Sequence, residues 1–159
     1  MNQKKYAVIK TFLPFAIVFF FCRLQCAENP KRVLLAYENT PFKKALIDAI
    51  SNELVQKGVV PVLFIHDAEK IKQINPDEYD AVLISNSGVK AEVRPWIREW
   101  LGKYRASINK VLLHTTQNNP WKVDQEVDSV TSASAPKQAV SLAKDYSSRI
   151  IAKLYPEKK

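Results

Sequence analysis

The residues Glu38–Lys43 carry the polar and charged side chains that a small ligand-binding loop uses. They follow an apolar run, Arg32–Tyr37, and overlap apolar residues at helical spacing, which are Phe42, Ala45, Leu46, Ala49, Ile50 and Leu54. Thr40 is a good N-cap and Pro41 suits the first helical position, so the pattern predicts a strand, a loop and a helix. Lys43 lies in the first helical turn, where a bound anion would offset its positive charge. The candidate binding residues of this loop are Glu38, Asn39, Thr40 and Lys43.

No nucleophile–base pair is evident in the sequence. Both cysteines, Cys22 and Cys26, precede the predicted domain, which excludes cysteine catalysis within it. The two histidines, His66 and His114, are too few for a multi-histidine centre, so no metal site is predicted. His66 is expected to be solvated, and His114, at the end of an apolar run, to be a hydrogen-bonded core residue. No serine lies in a Gly-x-Ser-x-Gly motif, so the sequence does not predict a hydrolase.

The N-terminal segment has the pattern of an export signal. Three lysines precede an uncharged, mostly apolar run of 12 residues, Thr11–Cys22. That length suits the core of a signal peptide and is shorter than the about 20 residues that span a membrane. The predicted organisation is a signal peptide or a membrane or lipid anchor at residues 1–27, followed by one domain at residues 28–159. The domain is expected to be exported to the bacterial periplasm or cell envelope.

Two fates of the N-terminal segment stay open. Cleavage after Ala27 would leave a small residue before the cut, but Gln25 would lie two positions earlier, where small residues are preferred. Leu24-Gln25-Cys26 loosely resembles a bacterial lipoprotein box. The domain is therefore expected to be released as a soluble periplasmic protein, or held by a lipid on Cys26 or an uncleaved anchor. Membrane contact is expected only through this segment.

The positive charge of the chain is concentrated in the same segment. The whole sequence has a formal charge of +8, and residues 1–27 hold four basic and no acidic side chains. The remainder has 20 basic against 16 acidic side chains, a charge of +4. Because it has no dense run of Lys and Arg with interleaved aromatic residues, a nucleic-acid partner is not expected.

Apolar runs alternate with helix-period segments along residues 31–154. Strands are predicted at Arg32–Tyr37, Val59–Ile65, Tyr79–Ser85, Lys110–His114 and Val127–Thr131. Helices are predicted from Pro41 to about Lys57, from about Pro95, and from about Pro136 to about Leu154. Such alternation implies parallel strands joined by right-handed crossovers. Pro61 favours an edge position for the second strand, and polar loops are predicted at 85–88 and 115–121.

This arrangement resembles the flavodoxin-like fold, a three-layer α/β domain whose parallel five-stranded sheet has the order 2-1-3-4-5. Arg32–Tyr37 looks like the first strand of flavodoxins, and Tyr79-Asp80 before Ala81–Ile84 is similar to the start of their third strand. Val127–Ser134 looks like the end segment of some flavodoxin-like proteins. It also loosely resembles the FMN-attachment box of exported flavin-binding domains, although Ser132 and Ser134 replace the Gly and Thr of that box.

The resemblance implies FMN as the candidate cofactor. Flavodoxins hold its phosphate in the loop after the first strand, with a Ser/Thr-x-Thr-Gly-x-Thr type sequence. The matching stretch Glu38–Lys43 has one hydroxyl and no glycine, Pro41 lacks an amide donor, and Glu38 adds a negative charge. No aromatic residue follows the third strand at Ser85–Gly88, so Trp121 is the candidate for stacking on a flavin. The cofactor-binding candidates are Glu38, Asn39, Thr40, Lys43, Asn86, Ser87, Gly88, Thr115, Thr116 and Trp121.

Three functions stay open at this point. The first is an exported flavodoxin-like binding or accessory domain with a degenerate or lost FMN site. The second is an active FMN protein, either an electron carrier or a small flavin reductase, so enzymatic activity is undecided. The third is a surface-anchored scaffold for protein interactions. The expected partner is a redox or cell-envelope protein.

Overall fold

The computed structural model describes residues 29–117, 123 and 126–156. The predicted N-terminal segment and Trp121 lie outside these residues. Five parallel strands form one sheet, and they are β1 (Arg32–Tyr37), β2 (Val60–Ile65), β3 (Ala81–Ser87), β4 (Val111–Thr116) and β5 (Asp128–Ser132). Their order is β2-β1-β3-β4-β5. The predicted α/β class and the strand order 2-1-3-4-5 are therefore confirmed.

Three α-helices cover the two faces of the sheet. α1 (Pro41–Gln56) and α3 (Ala139–Leu154) pack together on one face, and α2 (Pro95–Lys103) lies on the other. The last helix, predicted from about Pro136, begins there as a short 3-10 turn, Pro136–Gln138, and continues as α3. None of these helices is long and apolar enough to cross a bilayer.

After the exposed Arg32, strand β1 is apolar because both of its faces are covered. Val33, Leu35 and Tyr37 join the core under α1 and α3, whereas Leu34 and Ala36 join the core under α2. This is the alternation that a strand imposes on successive side chains. β1 also pairs with β2 on one side and β3 on the other, so its end is the point from which the crossovers diverge in opposite directions.

The Tyr79-Asp80 pair fixes the beginning of β3 against the beginning of β1. Asp80 Oδ2 accepts a hydrogen bond from the backbone N–H of Arg32 at 2.8 Å, and Asp80 Oδ1 pairs with Lys31 Nζ at 3.1 Å. The Arg32 guanidinium lies over the Tyr79 ring, 5.3 Å from its centroid. The Arg32 N–H holds the pKa of Asp80 below its usual value. The Tyr79-Asp80 motif therefore fixes the register between β1 and β3 and is not a ligand-binding motif.

The backbone nitrogen of Pro61 points away from β1, toward the unpaired side of the edge strand β2. The N–H groups of Val60 and His66 donate to the carbonyls of Lys31 and Tyr37, at 2.8 and 2.9 Å. Backbone N–H groups alternate in direction along a strand. Those of the even-numbered residues of β2 therefore point toward β1, and those of the odd-numbered residues point away from it. The missing N–H of Pro61 therefore costs no ladder bond, which agrees with the predicted edge position.

Polar residues extend β3 and β4 beyond their apolar runs. Ser85, Asn86 and Ser87 belong to β3 and pair in register with His114, Thr115 and Thr116 of β4. The prediction of loops beginning at residues 85 and 115 is therefore wrong. Apolar patterning ended these strands too early because their last residues are polar, although all of them except the half-buried Ser87 are buried in the sheet. Most of these side chains form hydrogen bonds, whereas Asn86 Oδ1 has no partner among the described residues.

Candidate functional site

The Glu38 carboxylate binds three basic or hydroxyl groups at the end of β1. Its Oε2 accepts hydrogen bonds from Lys43 Nζ at 3.1 Å and from Ser87 Oγ at 2.6 Å. Its Oε1 pairs with Arg94 Nε at 3.1 Å. These residues come from the β1–α1 loop, the first turn of α1, the end of β3 and the segment before α2. We call Glu38, Lys43, Ser87 and Arg94 the Glu38 cluster.

Lys43 is the most deeply buried charge of the Glu38 cluster. Its side chain is 2% exposed, and Nζ also donates to Ser87 Oγ at 2.7 Å. Burial lowers the pKa of Lys43, and the neighbouring Glu38 carboxylate opposes that shift. The sequence suggested that Lys43 presents an uncompensated charge to an external anion. The structure shows its charge compensated by a residue of the same chain.

The remaining residues of the β1–α1 loop have local roles. Thr40 Oγ1 accepts a hydrogen bond from the Lys43 N–H at 3.3 Å, which is the N-cap contact that the sequence predicts. Asn39 is exposed. Lys44, next to Lys43, forms an exposed i,i+4 pair with Asp48 at 2.9 Å. No residue of this loop lines the cleft described below.

A chain of buried and half-buried hydrogen bonds links the carboxyl ends of β3, β4 and β5. Ser85 Oγ lies 2.8 Å from His114 Nδ1, and His114 Nε2 lies 2.9 Å from Ser132 Oγ. His66 Nε2 contacts the Ser85 carbonyl oxygen at 3.1 Å. The expectation of a satisfied His114 is thus met. The expectation of a solvated His66 is wrong, because this side chain follows an edge strand but folds inward onto β3 and is 3% exposed.

The Ser85–His114 contact has the spacing of a nucleophile and its base, but its surroundings exclude that role. Both residues are fully buried, and the centroid of the His114 ring lies 6.4 Å from that of Phe42 and 5.1 Å from that of Tyr146. Burial lowers the pKa of His114 to about 3, so the imidazole is neutral at physiological pH. Burial also raises the pKa of Tyr146 to about 12. This network joins β3, β4 and β5 to the helices and has no access for a substrate.

A cleft of about 390 Å³ opens at the carboxyl ends of β3 and β4 and beside the segment that follows β5. Its walls are small or polar residues and one lysine, namely Ser87, Gly88, Lys90, Ala91, Thr116, Gln117 and Ser134. A Cβ atom on Gly88 would lie 3.0 Å from Gln117 Oε1 and 3.2 Å from Thr115 Cγ2. Glycine therefore permits the close approach of the two strand ends that shapes the cleft wall.

A tight hairpin turn forms one side of the cleft. Val89 and Glu92 exchange both backbone hydrogen bonds at 3.0 Å, with Lys90 and Ala91 between them. Lys90 has a φ of 52° and Ala91 a φ of 59°, so both central residues are in the left-handed region of a type I′ turn. Asn-Gly is the usual sequence of such a turn, and a Lys-Ala pair adopts it at a cost in backbone energy.

Apart from Asn39 and Thr40, the predicted site residues that the structure describes fall into three groups. Glu38, Lys43 and Ser87 belong to the Glu38 cluster, and Ser87 also joins Gly88 and Thr116 in the cleft wall. Asn86 and Thr115 are fully buried and hydrogen bonded to each other, with Asn86 Nδ2 3.1 Å from Thr115 Oγ1. Trp121 lies outside the described residues. Arg94 and Lys90 could not be identified from sequence patterns, because neither lies in a motif and both depend on the hairpin for their position.

Within residues 29–117, 123 and 126–156, no group of three or more His, Cys, Asp or Glu side chains is arranged to hold a metal ion. The described polar groups of the Glu38 cluster and the cleft wall are instead hydroxyls, an amide, the Glu38 carboxylate and the cations of Lys43, Lys90 and Arg94. Donor sets of this kind bind anions and polar organic molecules.

No protein-family model matches the sequence, and the curated proteins include no significant match. Solved structures do match. A flavodoxin from the domain Archaea is 15% identical, with a TM-score of 0.50, and the match covers 77% of this chain and 98% of that one. The flavodiiron core of Flv1 from Synechocystis sp. PCC6803 is 13% identical, with a TM-score of 0.51, and the match covers 81% of this chain and 37% of that one.

At these identities the similarity is one of fold. The order of the five parallel strands and the placement of helices on both faces agree with it. The domain therefore has the flavodoxin-like fold, as the sequence resemblance implied.

Proposed function

We propose that this protein is an exported flavodoxin-like binding or accessory domain whose FMN site is degenerate or lost. The observation that carries the proposal is the Glu38 cluster. In this fold, the loop after β1 meets the N-terminus of α1, where cations and amide groups suit a phosphate. Here the cations Lys43 and Arg94 at this position are already bound to the Glu38 carboxylate.

The remaining features of the loop also oppose a phosphate. Pro41 is the first residue of α1 and has no N–H to donate, and the Thr40 hydroxyl is engaged as the helix cap. Glu38–Lys43 contains no glycine that would let the backbone wrap closely around a dianion. A phosphate placed here would also be repelled by Glu38. The loop therefore does not fit the phosphate of FMN.

Export and anchoring are part of the same proposal and rest on residues 1–27 of the sequence. The three lysines and the 12-residue apolar run support a signal peptide, and Cys26 is the candidate lipid attachment site. A periplasmic or envelope location is far from the reduced nicotinamide donors of the cytoplasm. The partner would accordingly be an envelope protein, and the membrane would be contacted only through this segment.

The binding of FMN tests the proposal. The full chain, purified in mild detergent, is mixed with FMN and passed over a desalting column, and its visible spectrum is recorded. We expect a colourless protein and an unperturbed spectrum of free flavin. A yellow protein that retains flavin would overturn the proposal and favour the alternative, an FMN-dependent electron carrier or small flavin reductase.

A separate labelling experiment tests the anchor. Cells expressing the wild-type chain or a Cys26→Ser variant are grown with a palmitate analogue that can be coupled to a dye. Labelling of the wild-type chain but not of the variant would support attachment through Cys26. Label on neither protein, together with recovery of the domain from the soluble periplasmic fraction, would show that the segment acts only as a signal peptide.

A further inference from the structure

We propose that the cleft at the carboxyl ends of β3 and β4 binds a small polar organic acid, whose phosphate or carboxylate pairs with Lys90. This inference rests on the proposed function, because it names the ligand class of a domain that lacks the flavin phosphate site. The ligand is a molecule of metabolite size rather than a macromolecule, since the cleft has a volume of about 390 Å³. Pockets for small molecules begin at about 300 Å³.

The position of the cleft is the first support. In open parallel sheets, ligands bind in crevices outside the carboxyl ends of the strands, where loops diverge. β3 and β4 end at this cleft with Ser87 and Thr116. The absence of a side chain at Gly88 allows its neighbours to approach closely. The cleft lies beside the Glu38 cluster and shares only Ser87 with it, whose hydroxyl is turned to Glu38 at 2.6 Å.

The distribution of charge is the second support. In the Glu38 cluster, the cations Lys43 and Arg94 are bound to Glu38. In the cleft, Lys90 is the one charged side chain among the lining residues that the structure describes, and no carboxylate of the same part of the chain forms an ion pair with it. The acidic neighbour Glu92 is paired with Arg98 instead. An incoming anion therefore finds an available cation at Lys90 and not at the loop after β1.

The backbone of the hairpin is the third support. Lys90 and Ala91 hold positive φ angles that glycine or asparagine would adopt at lower cost. Such strain persists where surrounding structure imposes it, and it concentrates at binding sites. Lys90, in this turn, and Ser134 both line the cleft. A cation and a hydroxyl donor in one cleft suit a single oxyanion group with a polar body.

The test compares three forms of the full chain: wild type, Lys90→Asn and Lys144→Gln. Asparagine tolerates the left-handed conformation, so the first variant removes the charge while keeping the turn. Lys144 lies on the exposed side of α3, away from the cleft, and serves as the matched charge control. Thermal unfolding is followed while glycerol phosphate or succinate is added, with glycerol and with sodium chloride at equal ionic strength as controls.

We expect at least one of the two acids to raise the unfolding temperature of wild type and Lys144→Gln in a saturable manner. Lys90→Asn should need roughly ten times more of the acid for the same rise, which corresponds to the loss of one charge-assisted hydrogen bond. A response to one acid alone assigns the ligand to phosphates or to carboxylates.

Three results would overturn the inference. They are equal affinity in Lys90→Asn and wild type, an effect that sodium chloride reproduces, and no saturable response to either acid up to about 10 mM. The flavin spectrum described above is independent of these titrations. A yellow protein would refute the proposed function, whereas an unaffected Lys90→Asn variant would refute only the cleft ligand.

Discussion

Lys43 and His114 are polar residues buried at the carboxyl ends of strands, and each avoids an unpaired charge in a different way. Lys43 has the Glu38 carboxylate at 3.1 Å. His114 has no carboxylate partner in the described hydrogen-bond network and contacts the hydroxyls of Ser85 and Ser132 as a neutral ring. A paired charge and a neutral ring are the two ways in which ionisable groups are accommodated in a protein interior. Each has a measurable consequence.

Replacing Glu38 with Gln should destabilise the fold, because the buried Lys43 ammonium would lose its counter-charge. We expect a loss of about 2–4 kcal/mol in the free energy of unfolding, near the cost of breaking one buried ion pair. Urea denaturation at neutral pH measures it. Glu99→Gln, an exposed change on α2, should alter the stability by less than about 0.5 kcal/mol. Equal stability of the two variants would mean that Lys43 does not depend on Glu38.

The stability of the protein should fall as the pH is lowered from about 6.5, the ordinary pKa of an unfolded histidine. Burial lowers the pKa of His114 to about 3 in the folded chain, and burial also lowers the pKa of His66. Between these pH values the unfolded state binds protons that the folded state does not, so acid favours unfolding.

The variant His114→Gln isolates one of these two histidines. Between about pH 4.5 and 6, its free energy of unfolding should change less steeply with pH than that of the wild type, by up to about 1.4 kcal/mol per pH unit. Glutamine retains a donor and an acceptor for Ser85 and Ser132. Urea denaturation across this pH range gives the slope, and a slope equal to that of the wild type would show that His114 is protonated in the folded state.

At the scale of elements, the hairpin turn before α2 holds two non-glycine residues, Lys90 and Ala91, at positive φ. It brings Lys90 to the cleft and is followed closely by Arg94, whose Nε donates to the Ser87 carbonyl at 3.0 Å. The Arg94 guanidinium also lies over the Trp96 ring, 4.8 Å from its centroid. A single irregular turn thus positions a residue of the cleft and a residue of the Glu38 cluster.

Replacing Ala91 with Gly should stabilise the protein, because glycine adopts the φ of 59° without the clash of a Cβ atom. We expect a gain of about 0.5–1.5 kcal/mol, the left-handed penalty less the added freedom of the unfolded chain. Ala152→Gly, on the exposed side of α3, should have the opposite sign and cost up to about 1 kcal/mol. Thermal and urea unfolding measure both. Destabilisation by both changes would mean that Ala91 is not held at positive φ.

At the scale of the whole molecule, local patterns predicted the fold well. Three signals were of this kind: the apolar run of β1, the helical spacing after Pro41 and the Tyr79-Asp80 pair. Each depends on residues close together in the sequence or on one contact between neighbouring strands. The alternation of strands and helices then leaves few parallel topologies. Gly58, which follows α1 with a φ of 74°, is a further local signal, because glycine commonly takes this left-handed conformation at the end of a helix.

The candidate site could be predicted only in part, because it depends on contacts between distant residues. The Glu38–Arg94 pair joins residues that no local pattern connects, and the hydroxyls of Ser85 and Ser132 meet only through His114. Apolar periodicity also cannot predict that a strand continues through buried polar residues such as Asn86. Because of these contacts, Lys43 of the predicted anion-binding loop pairs with Glu38. The cation that we propose for ligand binding is Lys90 instead.

The position of the Glu38 side chain in the presence of FMN tests the central claim most directly. A crystal structure of the purified protein grown with excess FMN would show it. We predict the Glu38 carboxylate within hydrogen-bond distance of Lys43 Nζ, as at the 3.1 Å found here, with no phosphate at the start of α1. A Glu38 side chain turned outward, with the FMN phosphate bound between Lys43 and Arg94, would contradict the account.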